Sequence, residues 1–241
     1  MTTIPVANGE LPVLFSRPAG YSGASLPGII AVHDLTGFNQ DIRRIAQQIA
    51  DRGYLVATPD LYHGGKIRCI TRVMRDVMTG TGPSFDDLAL TREALAAQPE
   101  CNGSIGVVGF CQGGRFALLL AARGYDAVAP FYSTPLPPKI EKHLSGSCPV
   151  VASFGRRDPF GIGSGKKLQR ILDDAGVAND IKTYPEAGHS FANQLPGQAF
   201  LRLTGFGYHD SAAADSWQRV FSFFDTHLSN NNIETLDNPE H

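Results

Sequence analysis

Cys111 stands between paired glycines in the run Gly109-Phe110-Cys111-Gln112-Gly113-Gly114. A thiol attacks as its thiolate, and it works best with a base to take the proton and a third group to orient that base. The apolar stretch Ile105 to Val108 leads into this run, and a helix-forming stretch, Arg115 to Arg123, leaves it. A strand that turns this sharply into a helix holds its turn residue at strained backbone angles, and small residues two places before and after it avoid clashes. The helix N-terminus then offers free N–H groups and a positive field to a thiolate, or to an oxyanion on a substrate. Cysteine is also among the residue types most often buried for packing alone. The elbow by itself is therefore a candidate and not yet a site.

Two further groups add to it. Asp158, in Phe154-Gly-Arg-Arg-Asp158-Pro, and His189, in Pro185-Glu-Ala-Gly-His189-Ser-Phe, each follow a predicted strand. Taken singly they read as a turn-capping acid and a surface histidine. Together with Cys111 they stand in the order nucleophile, acid, histidine, the chain order of the α/β-hydrolase triad. The chemistry this predicts is acyl transfer. Cys111 attacks a carbonyl, His189 takes the thiol proton and returns it to the leaving group, and Asp158 fixes the imidazole tautomer. The backbone N–H groups of Gln112 and Leu35 are the expected oxyanion hole. Gly155 and Gly188 are expected to act as flexible turns beneath the two loops.

The elements that must position these groups alternate along the chain. Leu11 to Ser16 reads as an edge strand, and Gly28 to His33 and Tyr54 to Pro59 as strands buried on both faces. Asp41 to Arg52, Asp86 to Gln98, Gly165 to Ala175 and Ala212 to Leu228 carry apolar residues at helical spacing, while Asp126 to Tyr132, Pro149 to Phe154 and Asp180 to Tyr184 continue the strands. The alternation predicts an α/β protein: a single domain over 1–241, its central sheet mostly parallel with helices on both faces. Such sheets bind ligands at the carboxyl ends of their strands, where Cys111, Asp158 and His189 would gather. Residues 60–85 are the least regular internal segment and read as a cap or wall, and 229–241 as a polar tail.

With 21 basic and 23 acidic residues the net charge is −2, which gives no footprint for nucleic acid or an anionic membrane. The N-terminal residues lack a signal-peptide pattern, no apolar run reaches a membrane span, and the four cysteines form no CxxC pair. A cytoplasmic location is the expectation, together with no metal and no cofactor, since the histidines are scattered. Tyr132 and Phe160 are candidate pocket walls, and Arg68, Arg72 and Arg75 candidate cations over the pocket, with core aromatics and a solvated helix face as the plainer readings.

From about Leu11 to Leu228 the chain resembles the dienelactone hydrolase family of α/β-hydrolases. The likeness is carried by His33-Asp34 at a strand end, Thr58-Pro-Asp-Leu-Tyr62, the cysteine elbow, the Asp158 loop, Gly188-His-Ser-Phe191 and the Trp217…Phe223-Phe224 helix. It implies hydrolysis of a small ester or lactone without cofactor or metal. Two positions depart from the family pattern. Where the family has a glutamate that helps activate the thiol, this chain has Asp34, one methylene shorter, which reads either as that thiol-activating carboxylate or as a turn cap. The family's arginine just past the catalytic histidine is missing, the next arginine being Arg202. These departures keep open a rival reading, a hydrolase-fold protein that binds a small ligand or partner without turnover. A redox-active thiol is a third, for which no resolving cysteine lies nearby. The triad reading predicts that Cys111→Ala abolishes turnover of activated esters while the protein stays folded by circular dichroism; unchanged rates would remove the nucleophile assignment.

Overall fold

The computed structural model describes residues 1–7, 9–65 and 67–228. In chain order its elements are β1 (Thr2–Val6), β2 (Gly9–Ser16), β3 (Leu26–Val32), α1 (Gln40–Ala50), β4 (Leu55–Pro59), α2 (Ile67–Thr79), α3 (Pro83–Ala96), β5 (Cys101–Phe110), α4 (Gln112–Leu120), β6 (Ala127–Phe131), α5 (Ile140–His143), β7 (Val150–Gly155), α6 (Ser164–Asp174), β8 (Asn179–Tyr184), α7 (Gln198–Leu203) and α8 (Asp210–His227). The strands form one eight-stranded sheet in the order β1-β2-β4-β3-β5-β6-β7-β8. β1 and β2 pair antiparallel, β2 is antiparallel to β4, and every later pairing is parallel.

The central strands β3, β4, β6 and β7 are largely apolar because both faces are covered, and their period-2 alternation sorts side chains between two cores. Ile30 and Val32 of β3 face a core shared with Val73 and Val77 of α2, Leu88 of α3, Phe116 of α4 and Leu168 of α6. Ile29 and Ala31 face the other way, onto Ile45 and Ile49 of α1 and Trp217, Val220 and Phe224 of α8. α1 starts where the Asn39 side chain accepts the amides of Asp41 at 2.8 Å and Ile42 at 3.1 Å, satisfying two otherwise unpaired N–H groups.

Two sequence expectations change. Leu11 to Ser16 does not lie at the sheet edge, because β1 pairs outside β2; its alternating, largely exposed residues give little apolar signal. Residues 60–85 are more regular than expected, since α2 runs through them and buries Val73 and Val77. The short helices α5 and α7 carry no period long enough to be read. The tail at 229–241 lies outside the described residues. Among those described, no helix is long and apolar enough to cross a membrane.

Candidate active site

Cys111 occupies the single-residue turn between β5 and α4, at φ 54° and ψ −112°. Close backbone packing keeps it there. A Cβ on Gly109 would lie 2.0 Å from the Gly113 carbonyl oxygen, and a Cβ on Gly113 would lie 2.2 Å from the Val32 carbonyl oxygen. The Cys111 amide donates to the Phe131 carbonyl at 3.0 Å, tying the turn to β6. The elbow glycines are thus required by contact. The same holds for Gly155 and Gly188, expected above to be flexible: a Cβ on Gly188 would meet the Gly205 carbonyl oxygen at 2.0 Å, and one on Gly155 the Gly188 carbonyl oxygen at 2.3 Å. The loops under Asp158 and His189 are packed against each other rather than loose.

His189 follows β8 and is held through its backbone, its amide donating to Gly205 at 2.7 Å and its carbonyl accepting from Gly207 at 3.1 Å. Its Nδ1 lies 2.8 Å from Asp158 Oδ2, which leaves Nε2 for the thiol side. Asp158 follows β7, is buried, and also accepts from Thr134 Oγ1 at 2.6 Å and from the Phe160 amide at 2.8 Å. Burial works against the Asp158 charge, but these donors outweigh it and hold the carboxyl below the usual range. Burial also opposes a charged His189. Its hydrogen bond to Asp158 and its interaction with Cys111 outweigh that and raise the imidazole to about 9. The folded protein therefore binds this proton more tightly than the unfolded chain. The resulting stabilisation is full below about pH 6.5 and is lost as pH rises through about 9.

Cys111 and His189 open onto a pocket of about 340 Å³, whose walls include Met74 and Val77 of α2, Pro135, Leu195 and Phe206. Leu35, Gln112 and Phe160 line it as well, Phe160 with its ring edge-on to the His189 ring at a centroid distance of 5.8 Å. Asp34 also reaches this wall, with Oδ1 accepting from both the amide and the hydroxyl of Thr36, so the turn-capping half of its sequence reading is what its hydrogen bonds do.

Two expected pocket residues are elsewhere. Tyr132 is fully buried behind the imidazole, ring centroids 5.1 Å apart, with its hydroxyl bonded to Asn193. Asn193 in turn donates to Asp41 Oδ2 at 2.8 Å, so this chain of bonds ties the loop after His189 to α1. Arg72 is committed to Asp87 Oδ2 at 3.0 Å and to the Leu61 carbonyl at 3.3 Å, an ion pair that secures α2 to α3. Arg75 pairs with Asp76, and the side chains of Arg68 and Arg202 lie outside those described.

Arg115 does line the pocket, although the sequence reading treated it only as the start of the elbow helix. It is 7 % exposed. Its Nη2 contacts the Met78 sulfur at 3.1 Å, and its buried Nε has no hydrogen-bond partner among the described residues. Burial lowers its pKa, against the opposing influence of the nearby Cys111. Among the described residues no three His, Cys, Asp or Glu side chains cluster so as to hold a metal ion.

A mostly parallel eight-stranded sheet with this elbow defines an α/β-hydrolase. Comparison with known proteins is more specific. The model of the dienelactone hydrolase family matches residues 13–228. A carboxymethylenebutenolidase from Rhodococcus opacus is 32 % identical over 235 residues, covering 92 % of this chain and 89 % of its own. A carboxymethylenebutenolidase from Pseudomonas putida is 29 % identical, covering 83 % and 86 %. Among solved structures, a dienelactone hydrolase-like promiscuous phosphotriesterase from metagenomic libraries superposes with a TM-score of 0.74 at 23 % identity, over 91 % of this chain and 94 % of its own. The chain belongs to the dienelactone hydrolase family.

The pairing of Asp158 with His189 has a measurable pH consequence. With the imidazole at about 9, an enzyme whose His189 already holds the thiol proton in the free state loses kcat/KM on the alkaline side near that pH. Asp158→Asn should lower kcat/KM by about 10²–10⁴-fold and move the alkaline limb down toward the ordinary histidine range. A pH–rate profile of both proteins checks this, and an alkaline limb that stays in place contradicts it.

Proposed function

We propose that the protein hydrolyses small esters or lactones by covalent catalysis at Cys111, and that its preferred substrates carry a negative charge. The observation that carries the first part is the convergence of Cys111, His189 and Asp158 on one pocket, with the Asp158–His189 bond at 2.8 Å. Sγ attacks the carbonyl carbon, and the oxygen takes up negative charge facing the N–H groups of Leu35 and Gln112. On collapse the carbon–oxygen bond breaks, and His189 gives its proton to the departing alkoxide, which in a lactone remains attached to the acyl group. Water, deprotonated by His189, then attacks the thioester and releases the carboxylate and the Cys111 sulfur. A thiolate is a good leaving group, so the tetrahedral species from an ordinary amide would expel sulfur and revert. His189 is the main partner of the thiol, since its bond to Asp158 through Nδ1 leaves Nε2 for that side, and Asp34 caps its turn through Oδ1.

The second part rests on Arg115. An arginine stays charged in proteins, and a buried charge without a counter-charge costs several kcal/mol. A substrate carboxylate or comparable anion would provide the missing acceptor, one helical turn beyond Cys111. This cation comes from the elbow helix, not from the cap or from the loop after His189, where the family resemblance places its arginines.

The test is turnover of matched anionic and neutral activated esters and unsaturated lactones by wild type and by Arg115→Met. Wild type should favour the anionic member. Arg115→Met should lose about 10–100-fold in kcat/KM on it, mainly through KM, while changing little on the neutral one. An unchanged anionic-to-neutral ratio would remove the anion subsite, and folded wild type inactive on the whole panel would remove the hydrolase reading.

A further inference from the structure

The carbonyl of Asp34 accepts two hydrogen bonds, one from the Gly37 amide at 3.1 Å and one through Nδ1 of the His33 ring at 2.8 Å. The Asp34–Leu35 peptide is trans, so its C=O and N–H point in opposite directions. Fixing the carbonyl therefore fixes the direction of the Leu35 N–H. Both residues of this peptide line the pocket, and the chain just before it is pressed against the elbow. A Cβ on Gly113 would lie 2.7 Å from the His33 carbonyl oxygen.

The state of the His33 ring follows from its surroundings. It is 0 % exposed. Burial lowers its pKa, against the opposing effect of the Asp34 carbonyl and of the charges on Asp60 and Asp34. Nε2 is buried and has no hydrogen-bond partner among the described residues. A neutral ring with its single proton on Nδ1 meets these conditions, because that proton then faces an acceptor. Tyr62 holds the ring in place, edge-on at 4.7 Å. The same Tyr62 ring packs on Gly37, where a Cβ would lie 2.8 Å from it, and its hydroxyl accepts from Gln112 Nε2 at 3.1 Å. Tyr62 thus touches both the loop that carries Leu35 and the elbow residue Gln112.

We propose that His33 is a positioning residue: its Nδ1–H locks the Asp34 carbonyl and thereby aims the Leu35 N–H at the substrate oxyanion, with Tyr62 keeping that loop in register with Gln112. His33 touches no reacting atom and acts in its neutral form. The proposal rests on the acyl-transfer reading above and adds a residue to it.

Side-chain reach provides the test. In His33→Asn the amide nitrogen takes the place of Nδ1, whereas in His33→Gln it takes the place of Nε2 and faces away from the Asp34 carbonyl. His33→Leu removes the donor altogether. With p-nitrophenyl acetate, His33→Leu and His33→Gln should lose about 10²–10³-fold in kcat at nearly constant KM, and His33→Asn should recover most of that loss. An aryl trifluoromethyl ketone, whose carbonyl oxygen becomes an oxyanion when the thiol adds, should lose affinity in the same order, while alkylation of Cys111 by iodoacetamide continues at the wild-type rate. His33→Asn as slow as His33→Leu, or folded His33→Leu with wild-type kcat, would overturn the proposal. Failure of the acyl-transfer reading would show differently, as wild-type turnover that survives Cys111→Ala.

Discussion

At Cys111 a residue with a full side chain sits at φ 54° and ψ −112°, backbone that costs of the order of 1–3 kcal/mol and persists only where the surroundings over-determine it. They do so through contacts that leave no room for a Cβ at Gly109 or Gly113, and through the Cys111 amide bond to Phe131. Those contacts require β3, β5 and β6 to be neighbours in register, as the sheet order makes them. The thiol is thereby raised at the carboxyl end of a central strand and at the start of a helix. The loops after β3, β7 and β8 then need only short spans to bring Leu35, Asp158 and His189 to it.

Electrostatics at this point are unevenly balanced. The Asp158 carboxylate is fully engaged by His189, Thr134 and the Phe160 amide. On the pocket side a raised imidazole and the Arg115 guanidinium face a largely apolar wall. His189 already has the Asp158 carboxylate, so the cation most in need of a partner is Arg115, for which thiolate, oxyanion or substrate carboxylate is the partner the chemistry would supply. The same region is stiffened from behind, where the Tyr132–Asn193–Asp41 chain joins the His189 loop to α1.

Much of this was legible in the chain. The elbow showed itself because contact, not flexibility, demands small residues on both sides of Cys111. Doubly covered strands such as β3 and β4 showed because burial on two faces makes them continuously apolar. Asp158 and His189 were readable from their order and their place after strands. What escaped has physical reasons. β1 is a mostly exposed edge with little pattern, and α2 is preceded by the turn residues Tyr62-His63-Gly64-Gly65 and mixes arginines among its apolar positions. Arg72 and Arg115 are alike in sequence and differ only in their neighbours, an aspartate for one and a sulfur for the other. Tyr132 lies one residue past a strand end, as a pocket residue would, yet its buried ring backs the histidine.

The proposed chemistry requires that acyl groups pass through the Cys111 sulfur. Rapid-quench mass spectrometry of the whole protein, mixed with excess activated ester and stopped in acid within the first turnovers, reads this directly. One added acyl mass per chain is expected, located by peptide mapping at Cys111 and lost as turnover completes. Turnover with no adduct, or with the adduct on another residue such as Ser190, would contradict it.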